Sequence, residues 1–267
     1  MSRPYLDSIW RYPVKSMGGE TLDSSPVEPD GLPGDRCWAV IDGQTSEIRS
    51  AKKWPELLHY QACMEPSPGL RRGIFGAALP GVKITCPDGT TLRSGDDGAG
   101  NRLQSTLGKN CRLEPLQPPE NRAHYRLAAA RDFAAVAGEL DLLPGERLPD
   151  FSGAMTEVLE TLSEHVTPPG TYFDAFPLHL ISTNTLRWFS SVAGVDASPQ
   201  RFRPNLVIEI DADTAMPEND WVGRQLRIGT TVLEIHSRTL RCSMPARAQT
   251  WCELEQEKNL TRAMVKH

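Results

Sequence analysis

Cys242 follows directly on Arg241, within Ser237-Arg-Thr-Leu-Arg-Cys-Ser-Met-Pro245. A thiol beside a guanidinium has a definite chemistry. Nearby positive charge lowers a thiol pKa, and the thiolate is the form that binds soft metals. The alternative is a buried, inert cysteine that packs as a small hydrophobe. Three other polar groupings fall at strand boundaries: Lys15-Ser16, the Gly31-to-Arg36 turn, and Arg203-Pro-Asn205. Lysine and arginine neutralise phosphate, arginine bidentately. Asparagine offers donors and an acceptor to the edge of a heterocycle. Taken singly, each cation can equally be a solvated strand-end charge. Taken together, they suit an anionic ligand bound beside a thiolate-held metal.

These residues need a β-framework to position them. Tyr5 to Val14 is aromatic and β-branched, which predicts a strand running into the Lys15–Gly19 loop. Glu28 to Arg36 is dense in turn formers, and Cys37 to Asp42 reads as the next strand. Ser50 to Leu58 predicts a short helix opening near Pro55, and Leu58 to Met64 a strand. Val82 to Arg93 reads as a hairpin turning at Asp88-Gly89. Gly100 to Gly108 predicts a short helix closed by glycine, and Arg112 to Leu116 a strand. Helical patterns follow at Arg131–Leu143 and Gly153–His165. Leu178 to Ser182 reads as a buried strand, and Thr183 as the N-cap of a helix from Asn184 to Val192. Leu206 to Ile210 is an apolar strand. Gln225 to Ile235 alternates at period two, as a hairpin does. Cys242 is therefore expected just past a strand end, ahead of a polar helical tail.

Composition narrows the class. The chain has 267 residues, enough for one large or two smaller β-rich domains with real cores. Its net charge of −5 argues against nucleic-acid or membrane-surface partners. No signal-peptide pattern opens the sequence and no apolar run approaches the ~20 residues of a membrane span. The six cysteines form no Cys-x-x-Cys pair and fit neither a zinc ribbon nor an iron–sulfur cluster. These features predict a cytoplasmic protein with reduced thiols. The six tryptophans do not interleave with a basic stripe and read as core. His179 reads as a core or cleft histidine, and His165 and His236 have no partner at ligand spacing. Asp174 is either a cleft acid/base group or a loop-stabilising carboxylate. Cys252 reads as a packed helix cysteine, with a disulfide or second ligand as the alternative.

An ordered set of motifs resembles the MOSC family, named for the C-terminal domain of molybdenum cofactor sulfurase. It comprises Tyr12-Pro-Val-Lys-Ser16, Gly31-Leu-Pro-Gly-Asp-Arg36 with Trp38, Arg201-Phe-Arg-Pro-Asn205, Asp220-Trp-Val-Gly, Leu226-Arg-Ile-Gly229 and Arg241-Cys242. The N-terminal third resembles the family's companion β-barrel domain. The resemblance implies a β-rich α+β fold, with an N-terminal barrel-like domain over 1–118 and a MOSC barrel with peripheral helices over 119–267. It implies binding of the molybdenum cofactor, a pterin bearing a dithiolene and a phosphate. Cys242 matches the metal-ligating cysteine of the amidoxime-reducing branch. Lys15, Ser16, Arg36, Arg203, Asn205 and Arg241 match cofactor-holding positions, as do Ser182 and Thr183 in Leu180-Ile-Ser-Thr183.

The implied activity is reduction of N-oxygenated small molecules, with electrons from a separate flavoprotein, ferredoxin or cytochrome. Two departures weigh on it. Relatives follow the cysteine with a Thr-Thr-Val-Asp-Pro type sequence, where this chain has Ser243-Met-Pro-Ala-Arg-Ala-Gln249. Relatives also continue into a further strand beyond the point matching His267. A cofactor-binding or sulfur-carrying module without redox turnover is therefore the second reading, and a β-protein that has lost its cofactor the third.

Overall fold

The computed structural model describes residues 3–130, 138, 156–239 and 242–266. The expected helix over 131–143, apart from Gly138, and Arg241 lie outside these residues, as does the start of the expected helix over 153–165. Eleven strands and six α-helices alternate along the described chain, so the fold is mixed α/β.

Strands β1 (Tyr5–Arg11), β2 (Glu20–Leu22), β8 (Leu180–Ser182) and β9 (Leu206–Glu209) form one sheet in the order β2-β1-β9-β8. β1 runs antiparallel to β9, with Ile9 opposite Leu206, so the chain's first strand is paired to one roughly two hundred residues later. β8 lies parallel to β9, and the helix Thr183–Ala193 provides the crossover that parallel strands require. β3 (Trp38–Asp42) pairs with β7 (Cys111–Pro115). β4 (Gln61–Met64), β5 (Val82–Thr85) and β6 (Thr91–Arg93) form a three-stranded meander. β10 (Gln225–Ile228) and β11 (Thr231–Glu234) form an isolated hairpin.

The β-rich α+β expectation meets a mixed α/β fold, and no closed barrel is present among the described residues, whose strands make four separate sheets. The strands are short, three to seven residues. Local corrections have local causes. β1 stops at Arg11 because Pro13 cannot donate to a ladder. The helix after β8 is capped one residue earlier than expected, by Ser182, whose hydroxyl accepts from the Thr185 amide. The expected helix at Ser50–Leu58 is a single 3-10 turn over Pro55–His59. Cys252 sits in a 3-10 turn over Thr250–Cys252 and is a free thiol, like the other five cysteines.

Two large apolar clusters fill the molecule. The first gathers Val14, Met17, Val40, Ile41, Leu57, Tyr60, Ile84 and Leu103, and reaches Tyr125, Val166 and Tyr172. The second gathers Ile181, Phe189, Phe202, Val207 and Leu260. The loop Tyr12–Gly19 contributes Val14 and Met17 to the first cluster and is pinned along its length. The Lys15 amide donates to Trp38 O (2.8 Å), the Gly18 amide to Tyr60 O (2.7 Å), and the Arg36 amide to Tyr12 O (2.8 Å). At Gly18 the backbone lies flat against the Trp251 indole: a Cβ there would sit 2.4–2.7 Å from its ring atoms. Gly18→Ala is expected to cost about 1–3 kcal/mol through overpacking. Urea denaturation should show a lower midpoint at unchanged slope. A wild-type midpoint would mean that Trp251 is not held against this loop.

Candidate functional site

Five non-glycine residues among those described have positive φ, and three are Ser16 (67°), Arg36 (46°) and Arg203 (55°). A left-handed backbone costs a non-glycine residue about 1–2 kcal/mol. Such conformations persist where surrounding structure over-determines them, and they gather at functional sites. Arg36 and Arg203 turn their side chains toward the Tyr12–Gly19 loop, and Ser16 lies within it.

The turns bring charge together. Arg36 Nη1 donates to Asn205 Oδ1 (3.2 Å) and its Nη2 to the Arg203 carbonyl (3.1 Å). Arg203 Nη1 donates to the Met17 carbonyl. Both guanidiniums stand over the Tyr12 ring, Arg203 at 4.4 Å and Arg36 at 5.1 Å from its centroid. A cation over a desolvated aromatic face gains about 2 kcal/mol, which helps hold two like charges close. Asp35 supplies a counter-charge: it pairs with Arg36, and its Oδ1 accepts from the Tyr12 amide (2.8 Å). Asn205 donates to Trp10 O (3.1 Å) and accepts from the His179 amide (3.2 Å) as well as from Arg36, which uses both acceptor sites and one of its two N–H donors. The Tyr12 hydroxyl is buried and has no hydrogen-bond partner.

Lys15 completes the cluster. Its side chain is 5% exposed and its ammonium donates to Asp174 Oδ1 (2.6 Å) and Tyr172 O (2.9 Å). Lys52 lies 3.9 Å from the other Asp174 oxygen. Asp174 therefore holds the loop-stabilising position against two lysines, although its own side chain is 55% exposed. Burial pulls Lys15 below the usual lysine pKa, and Asp174 opposes that fall. Partial burial raises Asp174, but Lys15 and Lys52 outweigh it and hold the carboxyl well below the usual range. Burial first, then Arg36, pulls Arg203 down to about 10, so it stays charged at neutral pH.

Cys242 lies half-buried against Ala51, Leu58 and Met244. The Ala51 amide donates to Ser16 Oγ (2.9 Å), so the thiol's apolar seat is tied to the Lys15-Ser16 loop. β11 ends at Glu234, eight residues before Cys242, so the thiol sits in a turn region rather than at the strand end expected for it. Ser182 and Thr183 lie apart from these contacts, at the end of β8. The Ser182 hydroxyl bonds Glu218 Oε2 (2.6 Å), and Thr183 Oγ1 accepts from the Ile210 amide (3.4 Å). Two shallow depressions, of about 440 and 420 Å³, flank the helix Thr183–Ala193 and hold none of the cations Lys15, Arg36 and Arg203.

The structure adds participants that motif reading passed over: Tyr12, Asp35 and the Met17 carbonyl. Tyr12 and Asp35 stand inside quoted motifs, so a reading that asked what each motif position touches had a signal to follow. Met17 contributes only backbone, which sequence does not mark.

Residues 3–99 match the family model of the MOSC N-terminal beta barrel domain, and residues 167–267 that of the MOSC domain. A 64-residue stretch is 36% identical to the molybdenum cofactor sulfurase of Solanum lycopersicum, covering 24% of this chain and 8% of that protein. Lys15, Ser16 and Arg36 fall in the first matched segment. Asp174, Arg203, Asn205 and Cys242 fall in the second.

Asp174→Asn leaves Lys15 without its carboxylate, so its native pKa falls further below the unfolded value. Between those two values the unfolded chain binds more protons than the native one, and stability rises with pH. The deficit of the variant relative to wild type should therefore be largest near pH 7 and shrink toward pH 10, measured by denaturant titration at each pH. A deficit constant across that range would contradict the pairing.

Proposed function

We propose that this protein binds the molybdenum cofactor through Lys15, Ser16, Arg36, Arg203 and Asn205, with Cys242 as the metal's protein ligand. The observation that carries the proposal is the buried cation cluster: two guanidiniums face the loop that carries Lys15, in a protein whose net charge is −5. Asp35 and Asp174 answer part of that charge, which favours a further anion. The donor set fits the cofactor's chemistry. Guanidinium and ammonium groups suit its phosphate, the amide and loop carbonyls suit its heterocycle, and one thiol suits a soft metal already held by a dithiolene. When bound, the cofactor supplies two-electron redox chemistry at molybdenum.

The chain's own residues do the binding and placing. Arg203 and Arg36, held over Tyr12, present fixed positive charge that needs little reorganisation when an anion arrives. Lys15 can exchange the exposed Asp174 carboxylate for a phosphate oxygen. The Ser16–Ala51 bond keeps the Cys242 seat in register with this loop. We infer the amidoxime-reducing reaction class: an N-hydroxylated compound, two electrons and two protons give the parent amine and water. A separate protein supplies the electrons. The second reading, a cofactor-binding or sulfur-carrying module without turnover, is favoured by the turn after Cys242. There Ser243, Met244, Pro245 and Ala246 are all buried, where the active branch carries a different sequence.

The test is reduction of an N-hydroxylated amidine by reduced viologen, using protein from a host that loads a control molybdoenzyme. Turnover by wild type, lost at least a hundredfold in Cys242→Ala, is expected. Cofactor-loaded wild type without turnover would transfer support to the module reading. Full turnover by Cys242→Ala would remove the thiol from the mechanism.

A further inference from the structure

Arg201 and Arg203 stand two residues apart, on a single short helix, Pro199–Phe202, and its C-cap. Both are almost completely buried, Arg201 at 2% exposed. They serve different neighbours. Arg203 reaches the Met17 carbonyl and the Tyr12 ring, as described above. Arg201 turns the other way: its Nε donates to Asp196 O (2.7 Å) and its Nη1 to Pro245 O (3.3 Å). Pro245 is three residues after Cys242.

The Pro245 carbonyl belongs to a tight turn. The Ala246 amide donates to Ser243 O (3.2 Å), the Arg247 amide to Met244 O (3.1 Å), and the Glu257 amide to Ala246 O (2.7 Å). Met244 packs beside Cys242 against Ala51 and Leu58, while Ala246 joins the second apolar cluster with Phe202. One side of this turn thus carries the Cys242 seat, and the other abuts the helix that carries Arg201. Burying a guanidinium is costly, and the Pro245 carbonyl that Arg201 serves lies in the buried turn Met244–Ala246. Burial pulls Arg201 below the usual arginine value, with Glu257 and Asp196 opposing.

We propose that Arg201 is a positioning residue for Cys242. It clamps the Pro245 carbonyl and so fixes where the thiol stands relative to the anion-binding face that Arg203 presents. The short helix then acts as a spacer: one end sets the cation, the other sets the thiol. This role rests on reading Cys242 as the metal ligand, but the placement itself can be tested without any cofactor.

The experiment is native-state alkylation by iodoacetamide on the full chain, with rates read peptide by peptide by mass spectrometry. Fully buried Cys111 reports global opening in the same sample. Arg201→Met keeps the apolar stem and removes the donors, and should speed Cys242 labelling about tenfold with Cys111 unchanged. Arg201→Lys keeps the charge and one donor, and should fall between that variant and wild type. It also decides the matter if the methionine variant fails to fold. Parallel acceleration at Cys242 and Cys111 would reduce Arg201 to a general stability role, and an unchanged Cys242 rate in folded variants would overturn the proposal outright. In cofactor-loaded protein, Arg201→Met should keep its pterin and lose molybdenum relative to it. Wild type that binds no pterin would refute the cofactor reading, while the labelling rates still decide the positioning role.

Discussion

The structure turns on the desolvation of Lys15 and Arg203. Each is a full positive charge taken nearly out of water, at 4% and 7% exposure. The effective cost is several kcal/mol per ion unless partners compensate. The partners are specific: the Asp174 carboxylate and Tyr172 carbonyl for Lys15, and the Met17 carbonyl and Tyr12 face for Arg203. Three left-handed residues hold these partners in place at further cost. A fold selected for stability alone has little reason to carry both expenses at one loop. The proposed cofactor role supplies a reason: preorganised charge for an incoming anion.

The pairing of β1 with β9 makes this arrangement possible. It places the loop after β1 beside the segment before β9, so residues from the start and the last third of the chain share one site. The two segments that match the MOSC N-terminal beta barrel domain and the MOSC domain are joined by hydrogen bonds through this sheet. The Arg36–Arg203 and Arg36–Asn205 contacts cross the same seam. Cation placement and chain topology are therefore one constraint, because shifting the β1–β9 register would separate Arg203 from the Tyr12 ring.

What the sequence disclosed follows physical range. The Val82–Arg93 hairpin and the Ala99–Leu107 helix were legible because their signals are local: alternation around Asp88-Gly89, and Gly108 as a left-handed cap. Strand closure was not legible. Closure depends on tilt and register among strands distant in sequence, and here the described strands remain four open sheets. The convergence of Lys15, Arg36 and Arg203 was equally invisible to periodicity, and only the ordered motifs suggested it. The positions of Ser182 and Thr183 in Leu180-Ile-Ser-Thr183 were legible as a strand end. The hydrogen bonds to Glu218 and Ile210 that engage them are long-range features.

The central claim is that the buried cations hold an anionic molybdenum cofactor, and stoichiometry tests it most directly. Molybdenum would be measured by elemental mass spectrometry, and pterin by fluorescence after oxidation, on protein from a host that loads a control molybdoenzyme. The account predicts about one molybdenum and one pterin per chain in wild type, with pterin reduced at least tenfold in Arg203→Met. Neither molybdenum nor pterin in wild type, or equal pterin in wild type and Arg203→Met, would contradict it.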